Sequence, residues 1–205
     1  MSGKAGIIAI NLEEGNTLVN AALTSGSDEV VLVTHDGMSI RFSESDMRAQ
    51  GRNTIGVRGI KLREGDYVVA LAVVQQDANL LVVSENGLGK RTPFDEYRPQ
   101  SRGGIGIKTM NCTDKTGRVV SATTVTDADE LMIMTTGGQS VRMKVDTIRE
   151  TGRATQGVKL ITLDGKESIQ EITLVIPDDD EDEEEAADTP DSDSAPADEA
   201  EAPQE

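Results

Sequence analysis

Arginines recur through this chain about every fifty residues, and a guanidinium group is well suited to binding phosphate oxygens. Three positions of the repeat are always arginine and a fourth is always basic, with steps of 50 and then 51 residues. If each repeat folds alike, these side chains form parallel rows of positive charge, which a periodic polyanion such as duplex DNA would match. In order, the four rows are Arg41, Arg91 and Arg142; Arg48, Arg98 and Arg149; Arg52, Arg102 and Arg153; and Arg58, Lys108 and Lys159.

These rows also have a structural interpretation. Arginines in repeat proteins cap loops or pair with carboxylates between units, and Asp46, Glu96 and Asp146 lie close to the second row in sequence. Strand alternation predicts that the first row points away from its apolar neighbours. The sequence leaves both interpretations open.

Negative charge is concentrated at the end of the chain. Of the 37 acidic residues among 205, 15 fall in residues 177–205, which contain no lysine or arginine. The remaining 22 acidic residues and all 20 lysine and arginine residues lie in residues 1–176, whose net charge is therefore −2. A segment this acidic and poor in apolar residues is predicted to be disordered. It either solubilises the protein or competes with DNA for the basic rows.

Several classes of protein are disfavoured by what the sequence lacks. It has no apolar run near the roughly 18 residues that span a bilayer, and its N-terminus does not resemble a signal peptide. The single cysteine, Cys112, cannot form an internal disulfide, and no His or Cys cluster has metal-ligand spacing. We therefore expect a cytoplasmic protein without a membrane partner, metal or cofactor.

Each repeat is predicted to open with a β-hairpin. Apolar segments at 30–33, 80–83 and 131–134 lead into a turn dipeptide that ends in glycine. Such dipeptides favour a type I′ turn, which needs positive φ at both central residues. The dipeptides are Asp36-Gly37, Asn86-Gly87 and Gly137-Gly138.

The second half of each repeat is predicted to add two more strands. The third starts near Gly56, Gly106 or Gly157 and is exemplified by residues 57–62, and the fourth covers 67–74, 119–125 or 169–176. Residues 6–10 match only this second half, which suggests a fragment of a longer protein. The predicted organisation is a half unit at 1–28, whole units at 29–78, 79–129 and 130–176, and a tail at 177–205. Four strands per unit indicate an all-β, propeller-like array.

Four groups of motifs recur in phase with the repeat. They are Gly6-Ile7-Ile8-Ala9-Ile10 with Glu14-Gly15, Thr34-His35-Asp36-Gly37 with Ile40-Arg41-Phe42, Arg52-Asn53-Thr54-Ile55-Gly56-Val57, and Asn86-Gly87-Leu88-Gly89-Lys90-Arg91-Thr92. Together they resemble the C-terminal domain of gyrase A, of the type IIA DNA topoisomerase family, over residues 3–176. Topoisomerase IV has similar but more degenerate units, so gyrase is the better match.

The resemblance implies a β-pinwheel that binds and bends duplex DNA around a basic rim. It implies partners in the rest of gyrase A and gyrase B, in an A2B2 complex where ATP and Mg act outside this chain. The family's wrapping box is Gln-Arg-Arg-Gly-Gly-Lys/Arg-Gly. Residues 100–106 are a degenerate version, with Ser101 and Ile105 at two basic positions, so weak wrapping is expected. The positions kept are Gln100, Arg102, Gly103, Gly104 and Gly106.

No catalytic residue is predicted. The cleavage tyrosine of type II topoisomerases lies upstream of this domain, and Tyr67 and Tyr97 lack its surrounding motif, so packing roles are expected. His35 is predicted to be an exposed turn residue without a partner. The competing function is a kelch-like propeller that binds a protein, although the sequence has no tryptophan signature.

Overall fold

The computed structural model describes residues 6–175, where strands and three single turns of 3-10 helix make up the regular structure. The predicted all-β class is confirmed, and no helix among these residues is long and apolar enough to cross a bilayer. The acidic tail at 177–205 lies outside the described residues. The strands are β1 (Glu29–Thr34), β2 (Met38–Ser43), β3 (Val68–Val73), β4 (Asn79–Ser84), β5 (Leu88–Pro93), β6 (Ile107–Lys108), β7 (Val119–Val125), β8 (Glu130–Thr135), β9 (Ser140–Lys144), β10 (Val158–Lys159) and β11 (Ile169–Val175).

The strands form three antiparallel sheets, here called blades 1, 2 and 3. Blade 1 has the order β3-β1-β2-β6, blade 2 the order β10-β5-β4-β7, and blade 3 the order β11-β8-β9. The outer strand of blade 1 is β6, which belongs to the second repeat, and the outer strand of blade 2 is β10, from the third. Exchanged strands therefore tie each repeat to the one before it.

This exchange corrects two sequence-based expectations. We expected each unit to supply its own four strands, with a strand over residues 57–62, but that range contains no strand. The equivalent segments, β6 and β10, are only two residues long. Such a segment pairs solely with the hairpin of the preceding blade, and residues 57–62 have no preceding hairpin within the described residues.

The hairpin turns are also not of the predicted type. Gly37 has φ +78°, and its amide donates to the oxygen of Thr34 at 3.0 Å, while Asp36 is not left-handed. Gly87 and Gly138 repeat this arrangement. The loops are therefore type I turns followed by one left-handed glycine, which suits a loop of three residues such as 35–37.

Both faces of the middle blade are buried. Along β4, Leu80 and Val82 pack into a cluster shared with blade 1, whereas Leu81 and Val83 pack into a second cluster shared with blade 3. All four are completely buried. Fully burying one such side chain contributes roughly 1.5–3 kcal/mol. Alternate side chains of β4 therefore pack against two different neighbouring blades, instead of alternating between the core and solvent.

Candidate nucleic-acid interface

The first arginine row lies largely between blades. The Arg41 side chain is 13% exposed and pairs with Glu29 of its own blade. Its Nη1 also donates to the main-chain oxygens of Phe94 and Tyr97 in the next repeat, at 2.8 and 3.2 Å. Arg41 therefore fastens blade 1 to the 3-10 turn that follows the blade 2 hairpin.

Arg91 makes the same kind of connection one repeat later. Its side chain is 11% exposed, pairs with Asp127, and donates from Nε to the oxygen of Ile148 at 2.5 Å. Arg142, in blade 3, is more exposed, at 47%, and pairs with Glu130.

These positions correct the expectation that the first row points outward. Arg41 lies opposite Val31, and Val31 belongs to the core shared by blades 1 and 2. Ile40 and Phe42, the neighbours of Arg41 in sequence, pack into a cluster on the other face of blade 1, so pointing away from them means pointing toward blade 2.

The structural interpretation applies to Arg41 and Arg91, whose carboxylate partners are Glu29 and Asp127. Of the acidic residues considered from the sequence, Asp146 contacts Arg91 only through its main-chain oxygen, at 3.4 Å.

The third and fourth rows meet at each junction between repeats. Arg102 donates from Nη1 to the main-chain oxygen of Arg58 and from Nε to that of Asp46, each at 3.1 Å. Arg153 donates in the same way to the oxygen of Lys108, at 3.2 Å. These repeated hydrogen bonds hold a third-row arginine against a fourth-row residue of the repeat before it.

The fourth row and the second row are both exposed. Arg58, Lys108 and Lys159 are exposed at or beside the exchanged strands, and Lys108 donates weakly to Asn111 at 3.5 Å. The second row follows the 3-10 turns, directly after the inward-facing Met47, Tyr97 and Ile148, and its side chains make no ion pair within residues 6–175. Its members are Arg48, Arg98 and Arg149, and Arg52 of the third row is exposed as well.

Two repeat-related groups of basic side chains result. Arg102 bonds the main chain at residues 46 and 58, so it joins Arg58 to the turn carrying Arg48. We call these three residues the first basic cluster. Arg153 bonds Lys108 and has its Nε 3.8 Å from Glu96 Oε2, near Arg98. The second basic cluster is Arg98, Lys108 and Arg153.

The degenerate box at residues 100–106 crosses the preceding blade. The main-chain N–H of Gln100 donates to the main-chain oxygen of Arg41, at 2.8 Å, and that of Gly103 to the oxygen of Gly59, at 2.5 Å. The carbonyl of Gly104 accepts from the amide of Lys61. Gly106 has φ +78°, and a Cβ there would overlap the main-chain oxygen of Ser39. The box therefore delivers β6 to blade 1 and holds Arg102 in place.

One buried charge escaped the sequence analysis as a candidate. Lys90 on β5 is fully buried, and its Nζ donates to the main-chain oxygens of Gly152, at 2.7 Å, and Arg153. Burial, and then the nearby Arg153, lower the pKa of Lys90 to about 7, although Glu96 opposes this. The available signal was a lysine at a repeat position where Ile40 and Val141 are apolar.

His35 has partners, contrary to expectation. Its ring stacks on Tyr67 with 4.5 Å between centroids, and its Nε2 lies 3.5 Å from Glu85 Oε1 in blade 2. Arg118 adds a hydrogen bond to Asp36 at 2.6 Å. A turn residue acquires such partners because the exchanged strands bring the hairpin ends of neighbouring blades together.

The tyrosines occupy different environments. Tyr97 is fully buried and its hydroxyl lies 2.7 Å from Thr109 Oγ1, so it packs between blades. Tyr67 is 52% exposed and packs on His35. Within residues 6–175 there is no group of three or more His, Cys, Asp or Glu residues that could hold a metal ion.

A family model described as "DNA gyrase C-terminal domain, beta-propeller" matches residues 2–25, 28–75, 78–126 and 129–175. The matched segments follow the half repeat and the three whole repeats. They cover most of the chain outside the acidic tail.

Similar proteins and structures carry related names. DNA gyrase A of Streptococcus pyogenes is 55% identical over 174 residues, 85% of this chain and 21% of the relative. DNA gyrase A of Pseudomonas aeruginosa is 37% identical over 211 residues, 98% of this chain and 23% of the relative. The chain therefore spans about a fifth of the length of the curated relatives it matches.

Two solved structures share the fold. A DNA gyrase A C-terminal domain has a TM-score of 0.78 and 30% identity, and the match covers 85% of this chain and 59% of that one. A DNA topoisomerase IV C-terminal domain has a TM-score of 0.77 and 26% identity, with 82% and 52% covered.

Proposed function

The chain belongs to the family of DNA gyrase C-terminal domains, and we propose that it is a non-catalytic module that binds and bends duplex DNA. The observation that carries this proposal is the pair of basic clusters at successive repeat junctions. Their side chains reach the surface from the turns and exchanged strands of each repeat. One duplex lying across the repeats would meet both clusters in turn.

Phosphate contacts would supply the affinity. Such contacts carry no sequence information and release counterions, so binding falls steeply as salt is raised. If the nine residues of the second, third and fourth rows all bound phosphates, the log-log salt slope would approach about −8. We expect a shallower slope because Arg102 and Arg153 already donate to main-chain oxygens.

Bending the duplex requires contacts on several blades at once. Curving a site of 20 to 30 base pairs by 40 to 90° costs on the order of 1–6 kcal/mol. Contacts repeated around the array can offset this cost only when they hold the same duplex. Because Ser101 and Ile105 replace basic residues of the wrapping box, we expect weak wrapping by this chain alone.

The proposed setting is a longer gyrase A chain, assembled with gyrase B as A2B2 in the cytoplasm at the nucleoid. There, ATP, Mg and the cleavage tyrosine would act outside this chain, which itself needs no cofactor. Supercoiling would then be an activity of the whole complex. The corresponding domain of topoisomerase IV is the alternative, because the two solved domains match the fold almost equally well.

Fluorescence anisotropy with a duplex of about 40 base pairs tests the proposal. Binding that weakens steeply between 0.05 and 0.2 M salt, on the order of tenfold or more, is the expected result. Ligation of nicked plasmid then reports whether bound DNA is wrapped. Binding that is absent, or unaffected by salt, would favour the protein-binding, kelch-like alternative.

The acidic tail is proposed to compete with DNA for the basic rows. A tethered polyanion reaches an effective concentration on the order of mM. Removing residues 177–205 should therefore tighten DNA binding at low salt. Equal affinities with and without the tail would leave it a solubilising role.

A further inference from the structure

Lys90 lies where the second and third repeats meet, and its amine contacts the loop that carries Arg153 of the second basic cluster. The side chain leaves β5 on the same face as Val82, which packs into the core shared with blade 1, and ends at the carbonyls of Gly152 and Arg153.

Gly152 and Arg153 begin a loop, and Arg153 is the third-row arginine of this repeat. The loop is also tied to blade 2 by hydrogen bonds from Thr151 N to Arg91 O, at 2.9 Å, and from Thr92 Oγ1 to Thr151 O, at 2.8 Å.

The equivalent junction between blades 1 and 2 is built differently. There Ile40 occupies the position of Lys90, and the loop continues through Gly103 and Gly104. The amide of Gly103 donates to the oxygen of Gly59, which ties that loop to the preceding repeat. In the third repeat these two glycines are replaced by Ala154 and Thr155. The loop of the third repeat keeps one main-chain hydrogen bond to the preceding repeat, from Asn111 N to Thr155 O at 2.9 Å. What Lys90 adds at this junction is a pair of side-chain hydrogen bonds to Gly152 and Arg153.

Burial favours the neutral form of the Lys90 amine, although the two main-chain carbonyls can accept hydrogen bonds from either form. An uncharged Nζ has two N–H groups for the two carbonyls, whereas a protonated one has a third. The charged groups that face the amine are Arg153, which disfavours the proton, and Glu96, which favours it. Glu96 Oε2 also lies 3.8 Å from Arg153 Nε. The charges of Lys90, Glu96 and Arg153 therefore influence one another.

We propose that Lys90 is a positioning residue for DNA binding, which holds the loop at Gly152 and Arg153 so that the Arg153 guanidinium lies beside Lys108 in the second basic cluster. This inference rests on the proposed function. Lys90 is buried and touches no DNA itself. Its effect on affinity would pass through Arg153.

A double-mutant cycle in the full chain tests this. Lys90→Met and Arg153→Ala should each weaken binding to a duplex of about 40 base pairs by a similar factor, on the order of threefold to tenfold, and each should make the salt slope shallower by about 0.9. Lys90→Met should have no further effect in the Arg153→Ala protein. Lys115→Met, which removes an exposed charge from the turn before β7, should not reproduce this coupling.

Two further measurements separate positioning from a loss of folding. Amide exchange at residues 151–155 should quicken in Lys90→Met while exchange in β7 and β8 stays slow. In the unsubstituted protein without DNA, the protection of the same amides, judged from the observed exchange rate relative to the intrinsic rate at each pH, should decrease as the pH falls from 8 to 6. Lys90→Ile, which copies blade 1, serves if the methionine variant does not fold.

The outcomes are distinct. If Arg153→Ala weakens binding and Lys90→Met does not, or if the two effects simply add, the inference is wrong while the proposed function stands. If the unsubstituted protein shows no salt-dependent binding, the proposed function is wrong. In that case, amide protection at residues 151–155 that is unchanged both by Lys90→Met and by pH would overturn the positioning role as well.

Discussion

Arg41 in blade 1 donates a hydrogen bond from Nη1 to the main-chain oxygen of Phe94 in the second repeat, at 2.8 Å. The side chain thereby joins two neighbouring blades, and Arg91 repeats the connection one repeat later. An arginine row that could have bound DNA along its whole length is used, in these two members, to hold the blades together.

Replacing Arg41 with methionine should therefore destabilise the protein. The change leaves Glu29 and the oxygens of Phe94 and Tyr97 without their donor, at a cost of about 1–3 kcal/mol in the free energy of unfolding. Urea denaturation measures this. Arg142→Met is the matched control and should cost under about 1 kcal/mol, because Arg142 is more exposed. Equal losses in the two variants would contradict the fastening role of Arg41.

Removing the second row should weaken DNA binding without affecting stability. Replacing Arg48, Arg98 and Arg149 with alanine removes exposed charges that follow the 3-10 turns. If all three bind phosphates, the salt slope should become shallower by about 2.7. Anisotropy at several salt concentrations measures the slope, and the urea midpoint provides the control. An unchanged slope would move the DNA-binding surface away from this row.

Lys90 should make stability rise with pH above neutrality. The folded protein releases this proton near pH 7, whereas an exposed lysine retains it to about 10.5. Between these values the unfolded chain binds more protons, so raising the pH favours folding by up to about 1.4 kcal/mol per unit.

The pH comparison is best made between 6.5 and 8.5. Burial raises the pKa of Tyr97 and of Cys112, and both groups therefore act in the opposite direction at higher pH. The free energy of unfolding should increase over this interval in the unsubstituted protein and stay nearly flat in Lys90→Met. Parallel curves for the two proteins would show that Lys90 does not titrate in this range.

Gly106 should tolerate no side chain. A Cβ at this position would overlap the main-chain oxygen of Ser39, and φ is +78°. Gly106→Ala should cost about 2–4 kcal/mol, because the loop must move away from blade 1. Gly138→Ala is the control, since φ there is +85° but the surrounding space is open, and it should cost about 1 kcal/mol. Calorimetry or urea denaturation would detect the difference.

Much of the local structure was predictable from the sequence. Apolar segments followed by turns at Gly37, Gly87 and Gly138 indicated the hairpins, because strand pattern and turn chemistry depend on a few neighbouring residues. The predicted turn type was wrong, since one left-handed glycine closes a loop of three residues. The strand predicted at 57–62 was wrong because pairing there depends on a hairpin of another repeat.

The candidate site was predictable as a set of positions but not as a surface. Periodicity located all twelve residues of the four basic rows, and their binding to DNA stays a prediction. It could not show that Arg41 and Arg91 lie between blades, because the main-chain oxygens of Phe94 and Ile148 that accept their hydrogen bonds are more than fifty residues away along the chain. Nor could it show that Lys90 contacts the loop of Arg153, since Gly152 and Arg153 are more than sixty residues away along the chain.

The sequence by itself determined the all-β class, the period of the repeat and the basic character of its loops, since each follows from residue type and local spacing. The tertiary structure decided which basic groups face solvent. Strands β6 and β10 pair with the preceding blade, and blade 2 packs between blades 1 and 3, so Arg41 and Arg91 are largely buried between blades while the second row remains exposed. That choice depends on the packing of neighbouring blades, which no single repeat contains.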